Sequence, residues 1–137
     1  MTMRQKKSVA GVSLAIALGL LVLIVTGVAA RSAMQTVRIE IVLDQMAFLG
    51  VDSGNLSAMV ENPTLRVRSG QTVEIVLRSQ DRGMKHDLVI ADLDKRTEPV
   101  AFGESATLRF TAPEPGTYAY FCSMHPKIMR GQLIVTD

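Results

Sequence analysis

The sequence predicts an all-β domain, a sandwich or barrel, and three observations carry that prediction. Past residue 36, apolar residues recur at every second position. Clusters of Gly, Pro, Ser, Asn and Asp punctuate these runs at regular intervals. The chain has 137 residues, enough for one domain of about 100 residues plus an extension.

The elements follow in order. Val37, Ile39, Ile41 and Leu43 alternate with Arg38, Glu40 and Val42, the pattern of a half-buried strand. Residues 45–62 read as irregular, with turn signals at Gly50, Asp52, Ser53, Gly54 and Asn55, and with Met46, Phe48 and Leu49 covering the core. Pro63 leads into a strand over Thr64–Val67, and Ser69-Gly70 turns the chain into a second, with Val73, Ile75 and Leu77 facing one way. A turn over Gln80–Gly83 precedes an apolar run, His86–Ala91. Thr107–Phe110 and Tyr118–Phe121 are further strands, separated by the turn Pro113-Glu114-Pro115-Gly116, and Gly131–Thr136 is the last. Seven or eight short strands so spaced suit a sandwich or barrel.

Residues 1–30 differ in kind. Arg4, Lys6 and Lys7 precede an uncharged run from Ser8 to Ala30 that is apolar on every side. Its length suits a helix crossing a ~30 Å hydrocarbon layer, and the basic flank stays inside, which puts the following domain outside the cytoplasmic membrane. Two readings stand: an uncleaved signal anchor, or a signal peptide cleaved near Val28-Ala29-Ala30. The expected organisation is therefore 1–30 as anchor or signal and 37–137 as an exported domain on the periplasmic or extracellular side.

Charge narrows the partners. The net charge of +2 hides a segregation: residues after 30 carry 12 basic and 13 acidic side chains. A nearly neutral domain without a basic tract argues against nucleic acid. The chain has a single cysteine, Cys122, so an internal disulfide and a multi-thiolate zinc site are both excluded.

The chemistry concentrates around that cysteine. In the stretch Cys122-Ser123-Met124-His125-Pro126-Lys127-Ile128-Met129 a strand delivers a thiol, an imidazole follows three residues later and a thioether four after that. The next strand begins at once, so one tight loop can bring three donors to one point. His86, the only other histidine, opens an upstream run. Two His, one Cys and a weak axial Met form the ligand set of blue-copper sites: thiolate suits Cu(I), imidazole suits both oxidation states, and the long Met bond tolerates a change of state. The plain alternatives are a buried Cys acting as a small hydrophobe and a core Met filling space under the loop. Met84 and Met124 read as rim residues, Tyr118 and Tyr120 as packing residues, and Lys85 and Lys127 either as solvated lysines or as a weakly basic patch for an acidic redox partner.

The tail Pro115-Gly116-Thr117-Tyr118-Ala119-Tyr120-Phe121-Cys122-Ser123-Met124-His125-Pro126 resembles the copper loop of the cupredoxins, among them plastocyanins, amicyanins and pseudoazurins. Asn62–Val73 resembles the family's early strand pair, and His86-Asp87-Leu88-Val89-Ile90 its first His segment. The resemblance spans roughly 37–137 and implies a Greek-key β sandwich, one copper per chain held by His86, Cys122, His125 and Met129, and one-electron transfer. The spacing from His125 to Met129 lies between those of plastocyanins and amicyanins, while Met129-Arg130-Gly131 matches the family's Met-x-Gly. Asp87 replaces a frequent Asn, and it can accept a hydrogen bond from a loop N–H such as that of Ser123 but cannot donate one.

A zinc hydrolase is disfavoured because no carboxylate is placed as a general base, and a binuclear copper centre lacks its second Cys. The expected partner is a redox protein, a cytochrome or a membrane oxidase or reductase complex, with no small-molecule substrate and no enzymatic activity. A copper carrier that delivers or buffers the ion is the alternative, kept open by Met84, Met124 and Met129.

Overall fold

Strands that present an apolar residue at every second position each have one face to bury, and here two sheets bury those faces against each other. The computed structural model describes residues 35–52 and 55–137. One sheet holds β1 (Thr36–Asp44), β2 (Ala47–Asp52), β3 (Asn55–Glu61), β5 (Thr72–Ser79) and β8 (Ser105–Thr111), in the order β3-β2-β1-β5-β8. The other holds β4 (Thr64–Arg68), β6 (Val89–Ile90), β7 (Lys95–Arg96), β9 (Gly116–Phe121) and β10 (Arg130–Thr136), in the order β4-β10-β9-β6-β7. Both sheets are mixed. β1 runs parallel to β5, from Thr36 opposite Thr72 to Leu43 opposite Ser79, and β4 runs parallel to β10. The other pairs are antiparallel.

The predicted strands carry the predicted inward residues. Ile41, Leu43, Leu65, Val67, Val73, Ile75, Leu77, Leu108, Phe110, Leu133 and Val135 are buried in one core. Across it the rings of Phe48 and Tyr120 meet edge to face, centroids 5.2 Å apart at 72°. Such a pair contributes about 0.5–1.5 kcal/mol beyond the area it buries. The outward faces are charged, as on β1 and β5, where Arg38 bonds both Glu40 and Glu74.

The structure departs from the sequence expectation in three places. Residues 45–62 are not an irregular cover but a hairpin, β2 and β3, which extends the first sheet to five strands. Its turn from β1 places Gln45 and Met46 at φ 49° and 58°, a left-handed pair matched to the twist of a hairpin. Phe48 is fully buried as expected, but Met46 points outward and is 38 % exposed. The run His86–Ala91 is mostly not strand. Val89 and Ile90 alone form β6, a 3₁₀ turn follows at Ala91–Leu93, and His86 joins Val100 in an isolated bridge. Ten short strands thus replace the expected seven or eight among the described residues. The expected N-terminal hydrophobic helix lies outside the described residues, as does the turn at Ser53-Gly54.

Candidate metal centre

The loop joining β9 to β10 is short because its ends are tied. Cys122 donates its N–H to the carbonyl of Met129 at 3.0 Å, directly beyond the last ladder pair, Phe121 opposite Arg130. Inside this closure His125 donates its N–H to the carbonyl of Cys122 at 3.2 Å. The His125 carbonyl in turn accepts the N–H of Met129 at 2.9 Å and of Ile128 at 3.2 Å. A loop wound on its own backbone in this way fixes where the Cys122 and His125 side chains start. It is also tied to the β3–β4 connection: the Asn62 amide donates to the carbonyl of Ile128 at 3.0 Å, and the hydroxyl of Tyr120, on β9 just before the loop, donates to that of Pro63 at 2.5 Å.

His86 reaches the same point from a separate segment. Its N–H donates to the Val100 carbonyl at 3.1 Å and its own carbonyl accepts the Val100 N–H at 2.8 Å. Two residues on, Leu88 donates its N–H to the hydroxyl of buried Thr97 at 3.0 Å, and Thr97 returns an N–H to the Leu88 carbonyl at 3.0 Å. The segment is pinned by specific bonds rather than by a long ladder, which is why the strand expected there is so short.

These elements bring together three of the four side chains singled out in the sequence. Sγ of Cys122 lies 3.7 Å from Nδ1 of His125 and 3.9 Å from Nδ1 of His86. One donor atom from each of the three falls within 4.8 Å of the others. The two imidazoles stand 4.9 Å apart between centroids, tilted by 47°. Cys122 and His86 are fully buried and His125 is half-buried. Met129 is fully buried at the base of the same loop, its backbone bonded to Cys122 and His125. Donors of this softness, converging from two segments, fit one soft or borderline metal ion.

Burial pushes the Cys122 thiol up, and the nearby Asp87 charge adds to the rise; backbone N–H groups of Asp87, Met124 and His125 oppose it without overcoming it. The metal-free site thus holds a thiol, and a metal ion that binds there displaces its proton.

Asp87 behaves as the sequence suggested. Its carboxylate accepts the Ser123 N–H and the Ser123 hydroxyl, both at 2.7 Å, and so joins the His86 segment to the Cys122 loop. A third partner, Arg96 at 3.1 Å, was not foreseen. Burial raises the Asp87 carboxyl, but the Ser123 bonds and Arg96 outweigh it and leave the group below the ordinary carboxylate range. A depressed carboxyl stabilises the fold above its ordinary titration range, and that contribution is lost as pH falls through the still lower folded value. Asp87→Ala removes two hydrogen bonds that exposed Ser123 donates to a buried carboxylate, and bonds to a charged group contribute about 1.5–3 kcal/mol each. Chemical denaturation of the metal-free variant at neutral pH is expected to show a loss of about 2–4 kcal/mol. The gap from wild type narrows as the buffer is taken below the ordinary carboxylate range.

Asp81 and Thr97, like Arg96, escaped the sequence reading because each lies in a short or irregular segment and belongs to no periodic pattern. Asp81 lies 3.0 Å from Nε2 of His86. Lys85 and Lys127 are exposed, and so are Met84, Met124 and Ile128.

Residues 14–135 match the family model of the cupredoxin-like domain. Among solved structures, the chain is similar to auracyanin A, a "blue" copper protein from the green thermophilic photosynthetic bacterium Chloroflexus aurantiacus. The two are 23 % identical over 74 % of this chain and 100 % of that one, with a TM-score of 0.56. It is similar to the auracyanin of the photosynthetic bacterium Roseiflexus castenholzii, at 20 % identity over 73 % of this chain and 97 % of that one, TM-score 0.54. A rusticyanin variant matches at 20 % identity over 74 % and 78 % of the two chains, TM-score 0.52. The same architecture also occurs in a multicopper oxidase that functions in iron import, where 23 % of that longer chain is matched at 19 % identity, TM-score 0.52. The family-model match spans most of the sequence and agrees with the two mixed sheets described above, so the chain belongs to the cupredoxin-like family.

Proposed function

We propose that this chain is a mononuclear copper protein of the blue-copper type that transfers single electrons between redox partners outside the cytoplasmic membrane. His86, Cys122 and His125 are its ligands and Met129 is a weak axial one. The observation that carries this reading is the convergence of one buried sulfur and two imidazole nitrogens within 4.8 Å. Copper in such a site supplies a one-electron couple.

The chain's own residues do the rest. Backbone bonds on both sides of His86, Cys122 and His125 hold the donors where they are, which favours a site that changes little between oxidation states. Half-buried His125, with exposed Met124 and Ile128 around it, offers an edge through which a partner can exchange an electron. The two carboxylates nearest the site are already engaged, Asp81 by His86 and Asp87 by Ser123 and Arg96. That supports an electron carrier over a hydrolytic enzyme. The partner is a cytochrome or a membrane oxidase or reductase complex, and residues 1–30 tether or export the 37–137 domain.

A copper carrier is the second reading. It is favoured by the exposed thioethers of Met84 and Met124, each close in sequence to an imidazole of the site. Met129→Leu separates the two. An axial thioether tunes the potential and adds little to metal retention. For an electron carrier the variant raises the reduction potential and leaves copper exchange with a competing chelator unchanged. Altered exchange at an unchanged potential favours the carrier, and no change in either reduces Met129 to core packing.

A further inference from the structure

Each imidazole has two ring nitrogens, and only one can face the thiol. In His86 that one is Nδ1, and Nε2 points the other way, 3.0 Å from Oδ2 of Asp81. The contact is sheltered: the His86 side chain is fully buried and that of Asp81 is 13 % exposed. The same Oδ2 accepts the N–H of Met46 at 3.1 Å. Asp81 therefore braces the left-handed β1–β2 turn and the imidazole together. An ionised carboxylate cannot donate a hydrogen bond, so the proton of this contact belongs to Nε2, and the lone pair of Nδ1 is left facing Cys122. Arg82, next in the chain, turns away and stacks on Phe102, 4.1 Å from the ring centroid, so Asp81 keeps its charge for His86.

We propose that Asp81 is a positioning residue of the metal centre, whose carboxylate takes the Nε2–H of His86, fixes the tautomer and ring orientation, and strengthens Nδ1 as a donor. The inference rests on the copper reading above. A carboxylate behind a ligating imidazole raises its basicity and favours the more highly charged ion, so Asp81 holds the reduction potential down. Asp87 cannot serve in its place, because its oxygens are occupied by Ser123 and Arg96.

Three variants of the full chain test this. Asp81→Ala removes both bonds, Asp81→Asn retains a neutral oxygen in place of the charged one, and Met46→Gly relaxes the turn and leaves the carboxylate alone. Nitrogen NMR of metal-free wild type is expected to show His86 protonated at Nε2, and Asp81→Ala to give a mixture of tautomers. Asp81→Ala is also expected to lose Cu(II) affinity by about 10–100-fold. Because Cu(I) affinity falls less, the potential rises by about 59 mV for each tenfold difference between the two losses. Asp81→Asn raises it too, and Met46→Gly leaves it unchanged. The proposal is overturned by Nδ1-protonated His86 in the wild type, by an unshifted potential in Asp81→Asn, or by an equal shift in Met46→Gly. If the wild type binds no copper, the copper reading fails separately and the tautomer measurement still decides the role of Asp81.

Discussion

Cys122→Ser is expected to abolish the visible Cu(II) charge-transfer band and to cost more copper affinity than the about 10–100-fold typical of losing an outer-shell partner. The reason is the donor itself. Thiolate is soft and binds copper in both oxidation states, whereas a serine hydroxyl is hard and stays protonated at neutral pH. The fold should survive the change. Cys122 is fully buried, Ser is slightly smaller, and its hydroxyl meets the two Nδ1 atoms that now lie 3.7 and 3.9 Å from the sulfur. The measurement pairs an absorption spectrum with a denaturation curve. Lost colour with a retained transition is the expected result; retained colour means that the sulfur is not a ligand.

Gly131→Ala is expected to cost more stability than Gly50→Ala or Gly116→Ala. Gly131 stands directly opposite Tyr120 in the β9–β10 ladder, and the Tyr ring lies across it. A Cβ there would come within 2.3 Å of Cζ and of the hydroxyl oxygen. The ring cannot swing aside cheaply, because Tyr120 is fully buried, meets Phe48 edge to face and donates to the Pro63 carbonyl. Overpacking alone costs about 1–3 kcal/mol, and displacing a buried hydrogen-bonded hydroxyl adds to it, so about 2–4 kcal/mol is expected by chemical denaturation. Gly116→Ala is the control. Its Cβ would meet Tyr118 at 3.5–3.6 Å, ordinary contact, and the loss there should stay below about 1 kcal/mol. Equal losses in the two variants would contradict this packing.

The Gly131 geometry also shows what a motif in the sequence can encode. Met129-Arg130-Gly131 was legible as a family pattern, yet only the structure supplies the cause, a ring needing an open backbone beside the metal loop. The strands of the sandwich were legible because alternation at Val37–Leu43, Val73–Leu77 and Gly131–Thr136 is strong and each inward residue is now buried or half-buried in the core. The Cys122–Met129 loop was legible because its donors are close in sequence. The bond from Ser123 to Asp87 was legible through the family resemblance, in which the side chain after the first His braces the Cys loop, and Asp can accept such a bond.

The β2–β3 hairpin was hidden for a local reason. Gly50, Asp52, Gly54 and Asn55 read as one long turn, and the register shift at Val51/Asp52 breaks the alternation that would have marked two strands. The turn before it uses Gln45 and Met46 at positive φ, where sequence reasoning looks for Gly or Asn. The partners of the site were hidden for a different reason. Asp81 and Thr97 reach His86 and Leu88 from irregular segments, Arg96 reaches Asp87 from the two-residue strand β7, and the pairing is set by tertiary folding that no periodicity records.

The most direct test of the central claim is a titration of the purified, metal-free protein with Cu(II), followed by visible absorption and checked by competition with Zn(II). The convergence of His86, Cys122 and His125 predicts an intense charge-transfer band that grows linearly and stops at one copper per chain, and that Zn(II) does not displace. A protein that stays colourless under oxidising conditions, or that takes zinc in preference to copper, would contradict it.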